Sequence, residues 1–238
     1  MSSTTASSNE TGPNKGYAIS RWVDLRRRFF RGLFRGVFNL ICRVEVEGRE
    51  NIPTDGAYII AYNHISLFEP PLLICFWPEL PEALAGADVF ERPGQNFFVR
   101  VYDAIPVKRG EYDRSVIERM IAVLGAGRPL MIAPEGGRSH ELGLRRGQPG
   151  VAYLMDLLDV PVMPVGIRGT DDHMLRRALK GQRPRLQMRI GEPIKLPPIN
   201  GRGAERRAMR QANADLVMRR IADLLPARYH GVYADEAV

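Results

Sequence analysis

Apolar runs of strand length and longer segments of helical period alternate from Val44 to Leu225, divided by glycine, proline and polar clusters. Runs this short suit strands buried within a sheet, and the helical segments between them suit crossovers packed on its faces. The alternation predicts an α/β fold: one domain with a mostly parallel or mixed sheet flanked by helices. Strands are expected at 44–50, where Val44-Glu45-Val46-Glu47 alternates as an edge strand would, and at Gly56–Tyr62, Pro129–Ala133, Val160–Ile167 and Leu186–Ile190. Helices are expected at Leu72–Trp77, from an Asp113 cap to Leu124, and at Gly147–Leu158, Asp171–Leu179 and Ala204–Leu225, with a loop region at Ala83–Phe90.

The 238-residue length and 45% apolar content suit one large domain with a sizeable core. A net charge of +7 points to an anionic partner: a membrane surface, a nucleic acid or a phosphorylated substrate. Cys42 and Cys75 lie in apolar surroundings without CxxC spacing, as reduced core residues would. No signal peptide is expected, and the apolar stretch Gly36–Cys42 is far short of the roughly 20 residues needed to cross a bilayer.

Residues 1–18 are rich in Ser, Thr, Asn and Gly and read as a disordered tail. Residues 19–43 form the next unit. There Trp22, Leu25, Phe29, Phe30, Leu33, Phe34, Val37, Phe38 and Ile41 recur at helical intervals among six arginines from Arg21 to Arg35. This basic amphipathic helix suits a membrane interface, with its apolar residues in the headgroup boundary and its arginines on anionic lipid. The alternative is a helix packed on the domain with a solvated basic face. Nucleic acid is not an expected partner, because the aromatics gather on that helix rather than along a basic groove.

Chemistry is best placed at Ile60–Pro70, where a strand-like run ends in Asn63-His64-Ile65-Ser66-Leu67-Phe68-Glu69. Histidine exchanges a proton near neutrality, and a neighbouring carboxylate fixes its tautomer and stabilises the imidazolium. Five residues apart on one continuous helix, His64 and Glu69 would diverge by about 140°. They meet only if His64 lies in the turn after the strand and Glu69 begins the helix. Pro70 and Pro71 favour that start, since a proline in the first turn sacrifices no intrahelical bond. Ser66-x-x-Glu69 also has capping-box spacing, which leaves Glu69 a purely structural alternative.

Other chemical groups follow downstream. Lys108 and Arg109 are cations suited to phosphate, and Glu135-Gly136-Gly137-Arg138-Ser139 sets two glycines between a carboxylate and an arginine. No GxSxG elbow, Walker loop, HExxH or paired CxxC occurs, and the four histidines have no metal-ligand spacing.

Taken together, Asn63-His64-x-Ser66-x-x-Glu69-Pro70, Ile105-Pro106-Val107-x-Arg109, Pro134-Glu135-Gly136-x-Arg138-Ser139 and Val160-Pro161-Val162-x-Pro164-Val165 resemble the four motif blocks of the glycerolipid acyltransferase family. The resemblance spans roughly residues 45–200 and implies an acyltransferase domain over 44–238. It departs from the family at Glu69, where aspartate is usual, and at Gly137, where threonine is common.

The resemblance implies that His64 is the general base on a lysolipid hydroxyl and that Glu69 holds the imidazole. Arg109, Glu135, Gly136 and Arg138 would serve the substrate phosphate, supported by Asn63, Ser66, Lys108 and Ser139. No bound cofactor or metal is implied; acyl-CoA or acyl-carrier-protein thioester is the co-substrate. The implied acceptor is lysophosphatidic acid, the product phosphatidic acid, and the location the cytoplasmic face of the cell membrane, held peripherally or monotopically. Another lysophospholipid or lipid hydroxyl as acceptor, and a catalytically reduced lipid-binding protein, remain open.

Overall fold

The computed structural model describes residues 17–108, 113–139, 141–150, 152–153, 159–171 and 173–236. A 21-residue helix, α1 (Arg21–Ile41), opens the fold, with the Ser20 hydroxyl accepting the Val23 N–H at its start. There follow β1 (Arg43–Glu47), β2 (Ile59–Tyr62), α2 (Glu69–Phe76), β3 (Glu82–Gly86), α3 (Gln95–Tyr102), β4 (Ile105–Val107), α4 (Arg114–Gly125), β5 (Leu130–Ile132), β6 (Val162–Arg168), α5 (Met174–Leu179), β7 (Arg185–Ile190) and α6 (Gly203–Ala222).

The strands form one seven-stranded sheet in the order β1-β7-β6-β2-β5-β3-β4. The five strands from β6 to β4 run in one direction; β7 pairs antiparallel with β6 and parallel with β1. The sheet is therefore mixed, with β1 on an edge as its alternation predicts.

Alternate residues along the strands feed two cores. Ile60, Tyr62, Met163, Val165 and Ile167 share one with Phe38 of α1, Leu72 and Leu73 of α2, and Met174 of α5. Ile59, Ala61 and Val162 share the other with Met120 and Val123 of α4 and Val217, Met218 and Ile221 of α6. Because the five co-directional strands end on the same rim, residues following β2, β4, β5 and β6 gather there although they lie far apart in sequence.

Two local expectations need correction. Ala83–Phe90 is not loop: β3 occupies its first part and a 3₁₀ turn, Ala87–Glu91, the rest. Glu-Ala-Leu-Ala-Gly has little intrinsic strand preference, so pairing with β5 and β4 overrides local propensity. The arginines of α1 also do not form one lipid-facing set. Arg27 is buried, its guanidinium forming a fork on Glu82 (2.8 and 2.9 Å) while Nε donates to the Tyr102 carbonyl at 2.6 Å. Arg31 donates to the Trp77 and Pro78 carbonyls beyond α2. These contacts, with Phe38 in the core, dock α1 on the domain. An apolar stripe is left outward: Trp22, Leu25, Phe29, Leu33, Val37 and Leu40 are all exposed.

Arg128 also reaches Glu82, at 3.1 Å, and Tyr17 bonds to it. Burial alone would raise the Glu82 carboxyl, but the hydrogen bonds and charge of Arg27 outweigh it and hold the group below its ordinary value. Its contribution to stability is thus present above the ordinary carboxylate range and is lost as pH falls through the depressed native value. Glu82→Ala, which strands Arg27 in the core, is expected to cost about 3–5 kcal/mol in urea unfolding at neutral pH. The double change Arg27→Met with Glu82→Leu should cost less and flatten the acid limb of the stability curve.

Candidate active site

The site is built outward from the end of β2. Beyond Tyr62 the buried Asn63 side chain continues the strand pairing: its amide donates to the Ile167 carbonyl at 2.9 Å and its oxygen accepts the Ile167 N–H at 2.7 Å. This two-point join to β6 fixes where the next residue, His64, leaves the sheet. The His64 backbone is held on the other side as well, its N–H donating to Glu135 Oε1 at 2.9 Å and its carbonyl accepting the Ser139 N–H at 2.7 Å.

Glu69 is the first residue of α2, ahead of Pro70 and Pro71, and is fully buried. Its Oε2 lies 3.1 Å from His64 Nδ1. An ionised carboxylate can only accept, so this contact places the imidazole proton on Nδ1 and leaves the Nε2 lone pair free to take another. The ring is 17% exposed. Ser66 donates its N–H to both carboxylate oxygens, at 3.1 and 2.9 Å, and its hydroxyl to Oε1 at 2.9 Å. The capping hydrogen bonds and the contact with His64 are therefore parts of one arrangement. Glu69 closes the turn by receiving Ser66 and, with the same carboxylate, meets His64.

Glu135 follows β5 and is also buried. Besides the His64 N–H it accepts the Arg145 N–H on Oε2 at 3.0 Å, so both oxygens tie backbone segments together. Burial raises its carboxyl above the ordinary value, against the lowering effect of these N–H bonds and of the Arg145 charge. Gly136 takes φ +72°, and a Cβ there would come within 2.9 Å of the Gln148 side chain; its N–H is used on the Ala133 carbonyl at 3.0 Å. Neither Glu135 nor the Gly136 N–H thus points toward an incoming anion. The side chains that can do so are guanidinium groups. Arg138 lies half-buried on the turn, and Arg145, 49% exposed, donates to the Gly137 carbonyl at 2.6 Å.

Ser139 anchors the end of the turn, donating to the Glu141 carbonyl at 2.9 Å. Lys108 is exposed after β4, on the same rim but three strands from β2, about 14 Å at ordinary strand spacing. Arg109, the early residues of the expected N-terminal tail and much of the helix expected at Gly147–Leu158 lie outside the described residues.

Two contributors are not evident from sequence. Thr170, beyond β6, donates to Glu69 Oε1 at 2.5 Å, and Arg145 returns to the 135–137 turn from ten residues downstream. Gly169-Thr170 directly after a strand, and the Arg145-Arg146 pair after a glycine-rich stretch, are the only local signs of them.

The sequence profile of the Acyltransferase family matches residues 43–168, more than half of the chain, and covers His64, Glu69, Glu135 and the Asn63 partner Ile167. The chain belongs to the Acyltransferase family. Among curated relatives of this acyltransferase is the 1-acyl-sn-glycerol-3-phosphate acyltransferase of Bacillus subtilis (strain 168), 25% identical over 169 residues, which are 70% of this chain and 81% of the relative. The crystal structure of the 1-acyl-sn-glycerophosphate (LPA) acyltransferase PlsC from Thermotoga maritima has a similar fold. Its TM-score is 0.55 at 24% identity, with 84% of this chain and 83% of that one covered.

Glu135→Gln sets an amide NH₂ against a backbone N–H, and is expected to cost about 1–3 kcal/mol in urea unfolding. Because the native Glu135 carboxyl is raised, its ionisation as pH climbs from the ordinary value through the raised one costs stability. The variant should lose that part of the slope.

Proposed function

We propose that the protein moves a fatty acyl group from an acyl-CoA or acyl-carrier-protein thioester to the free hydroxyl of lysophosphatidic acid, forming phosphatidic acid. The observation that carries this reading is the His64 Nδ1 contact with a fully buried Glu69 carboxylate, 3.1 Å away, in a member of the Acyltransferase family. The relatives named above, both called acyltransferases of 1-acyl-glycerophosphate, support the choice of acceptor.

His64 Nε2 takes the hydroxyl proton as the alcohol oxygen attacks the thioester carbonyl. A new C–O bond forms, the C–S bond breaks, and the leaving thiolate regains the proton from Nε2. Glu69 holds the ring and balances the charge of the imidazolium between these two transfers. No acyl-enzyme is needed, in keeping with the lack of a GxSxG elbow. Arg138 and Arg145 meet the acceptor phosphate, with Lys108 and Arg109 supplying positive charge from the neighbouring part of the rim. Glu135 and Gly136 serve that anion indirectly, by shaping the turn that carries Arg138.

The acceptor arrives from a membrane. No described helix is long and apolar enough to cross one. The outward stripe of α1, with Trp22 72%, Phe29 65% and Leu40 74% exposed, is joined by Phe97 and Phe98 of α3, whose rings contact Phe30 and Phe34. An apolar surface shared by two helices suits shallow insertion into the headgroup boundary at the cytoplasmic face, while Arg21, Arg28 and Arg35 remain exposed near anionic lipid.

Purified protein given a panel of lysophospholipids and acyl thioesters should form phosphatidic acid. His64→Ala should lower turnover by about 100-fold to 10,000-fold. Transfer to a different acceptor would replace lysophosphatidic acid in this scheme; lipid binding without turnover would leave a binding protein instead. In vesicle pelleting with anionic lipid, the triple change Phe29→Ser, Leu33→Ser, Phe97→Ser should abolish most sedimentation without unfolding the domain.

A further inference from the structure

We infer that Thr170 is a positioning residue for the acyl transfer, and that it makes glutamate rather than aspartate the matched acid of this site. The inference rests on the proposed His64 chemistry. Glu69 has two oxygens with different duties. Oε2 faces His64 Nδ1, whereas Oε1 receives the Ser66 hydroxyl at 2.9 Å and the Thr170 hydroxyl at 2.5 Å. Both hydroxyls must donate, because a carboxylate offers no proton. Thr170 thus reaches across from the end of β6 and sets the rotation of the carboxylate from the side opposite the histidine.

The backbone around Thr170 is built for that reach. Gly169 takes φ +89°, and a Cβ there would overlap the Arg185 carbonyl oxygen at 2.2 Å, so the chain turns against β7 where no side chain fits. Thr170 is itself fully buried. Aspartate, one methylene shorter, cannot keep its inner oxygen on Thr170 and its outer oxygen on His64 from the same backbone position. The added length of Glu69 is taken up by a partner on another strand connection.

Two readouts test this on the full-length protein: steady-state kinetics, and nitrogen-15 shifts of labelled histidine with the His64 signal assigned by His64→Ala. Thr170→Val should lower kcat by roughly 10-fold to 100-fold with KM little changed, as expected for loss of a hydrogen bond to a buried charge. It should also move the His64 nitrogens away from the Nδ1-protonated pattern. Thr170→Ser should restore both, and Thr170→Val should have no further effect on kcat in a Glu69→Ala background. Unchanged His64 shifts in Thr170→Val would overturn the inference whatever the activity, as would failure of the serine variant to restore them or a Glu69→Asp enzyme as fast as the original. If wild-type protein transfers no acyl group, the proposed function falls, while the shift measurement still decides whether Thr170 orders the imidazole.

Discussion

A carboxylate with no solvent exposure is tolerated in a protein only where hydrogen bonds replace its lost water, and the site depends on how Glu69 meets that requirement. Its donors come from two segments: the turn after β2, which carries His64 and Ser66, and the connection after β6, which carries Thr170. The carboxylate itself begins α2, so it is satisfied only when β2, α2 and β6 are all in place. Folding of the sheet and orientation of the imidazole are in this sense one event. Hydrogen bonds to charged groups are stronger than neutral ones, which helps a small cluster hold such geometry.

A second buried anion repeats the device at the neighbouring strand end. Glu135 spends its two oxygens on backbone N–H groups of His64 and Arg145, and so joins the turn after β2 to the segment that carries a guanidinium. A third, Glu82, pairs with Arg27 and fastens α1 to the same domain that contains the site. The apolar stripe of α1 is therefore fixed relative to the rim that carries His64 and Glu69 rather than carried on a tether.

Much of the fold could be read from local pattern, because apolar runs with period two and segments with period 3.6 report which face each element buries. The edge position of β1, the Asp113 cap of α4 and the start of α2 at Glu69 all follow from residues within one turn of the feature. β3 was hidden, since alanine and glycine give little strand signal and only its neighbours β5 and β4 make it a strand. The direction of the α1 arginines was hidden too. An arginine facing Glu82 in a core looks no different in sequence from one facing water, and the partner lies 55 residues away.

His64 and Glu69 could be paired from sequence alone because five residues and two prolines confine them to one turn and one helix start. The same string also gave the acyltransferase likeness, through motif blocks whose residues are contiguous. Tertiary structure alone decided what surrounds them: that Glu135 braces backbone, that Arg145 comes back to the glycine turn, and that Thr170 meets Glu69 across 101 residues. The physical reason is range. Capping, turn geometry and periodicity act within a few residues and leave marks there, whereas a hydrogen bond between strand ends depends on sheet order, which no single stretch of the chain encodes.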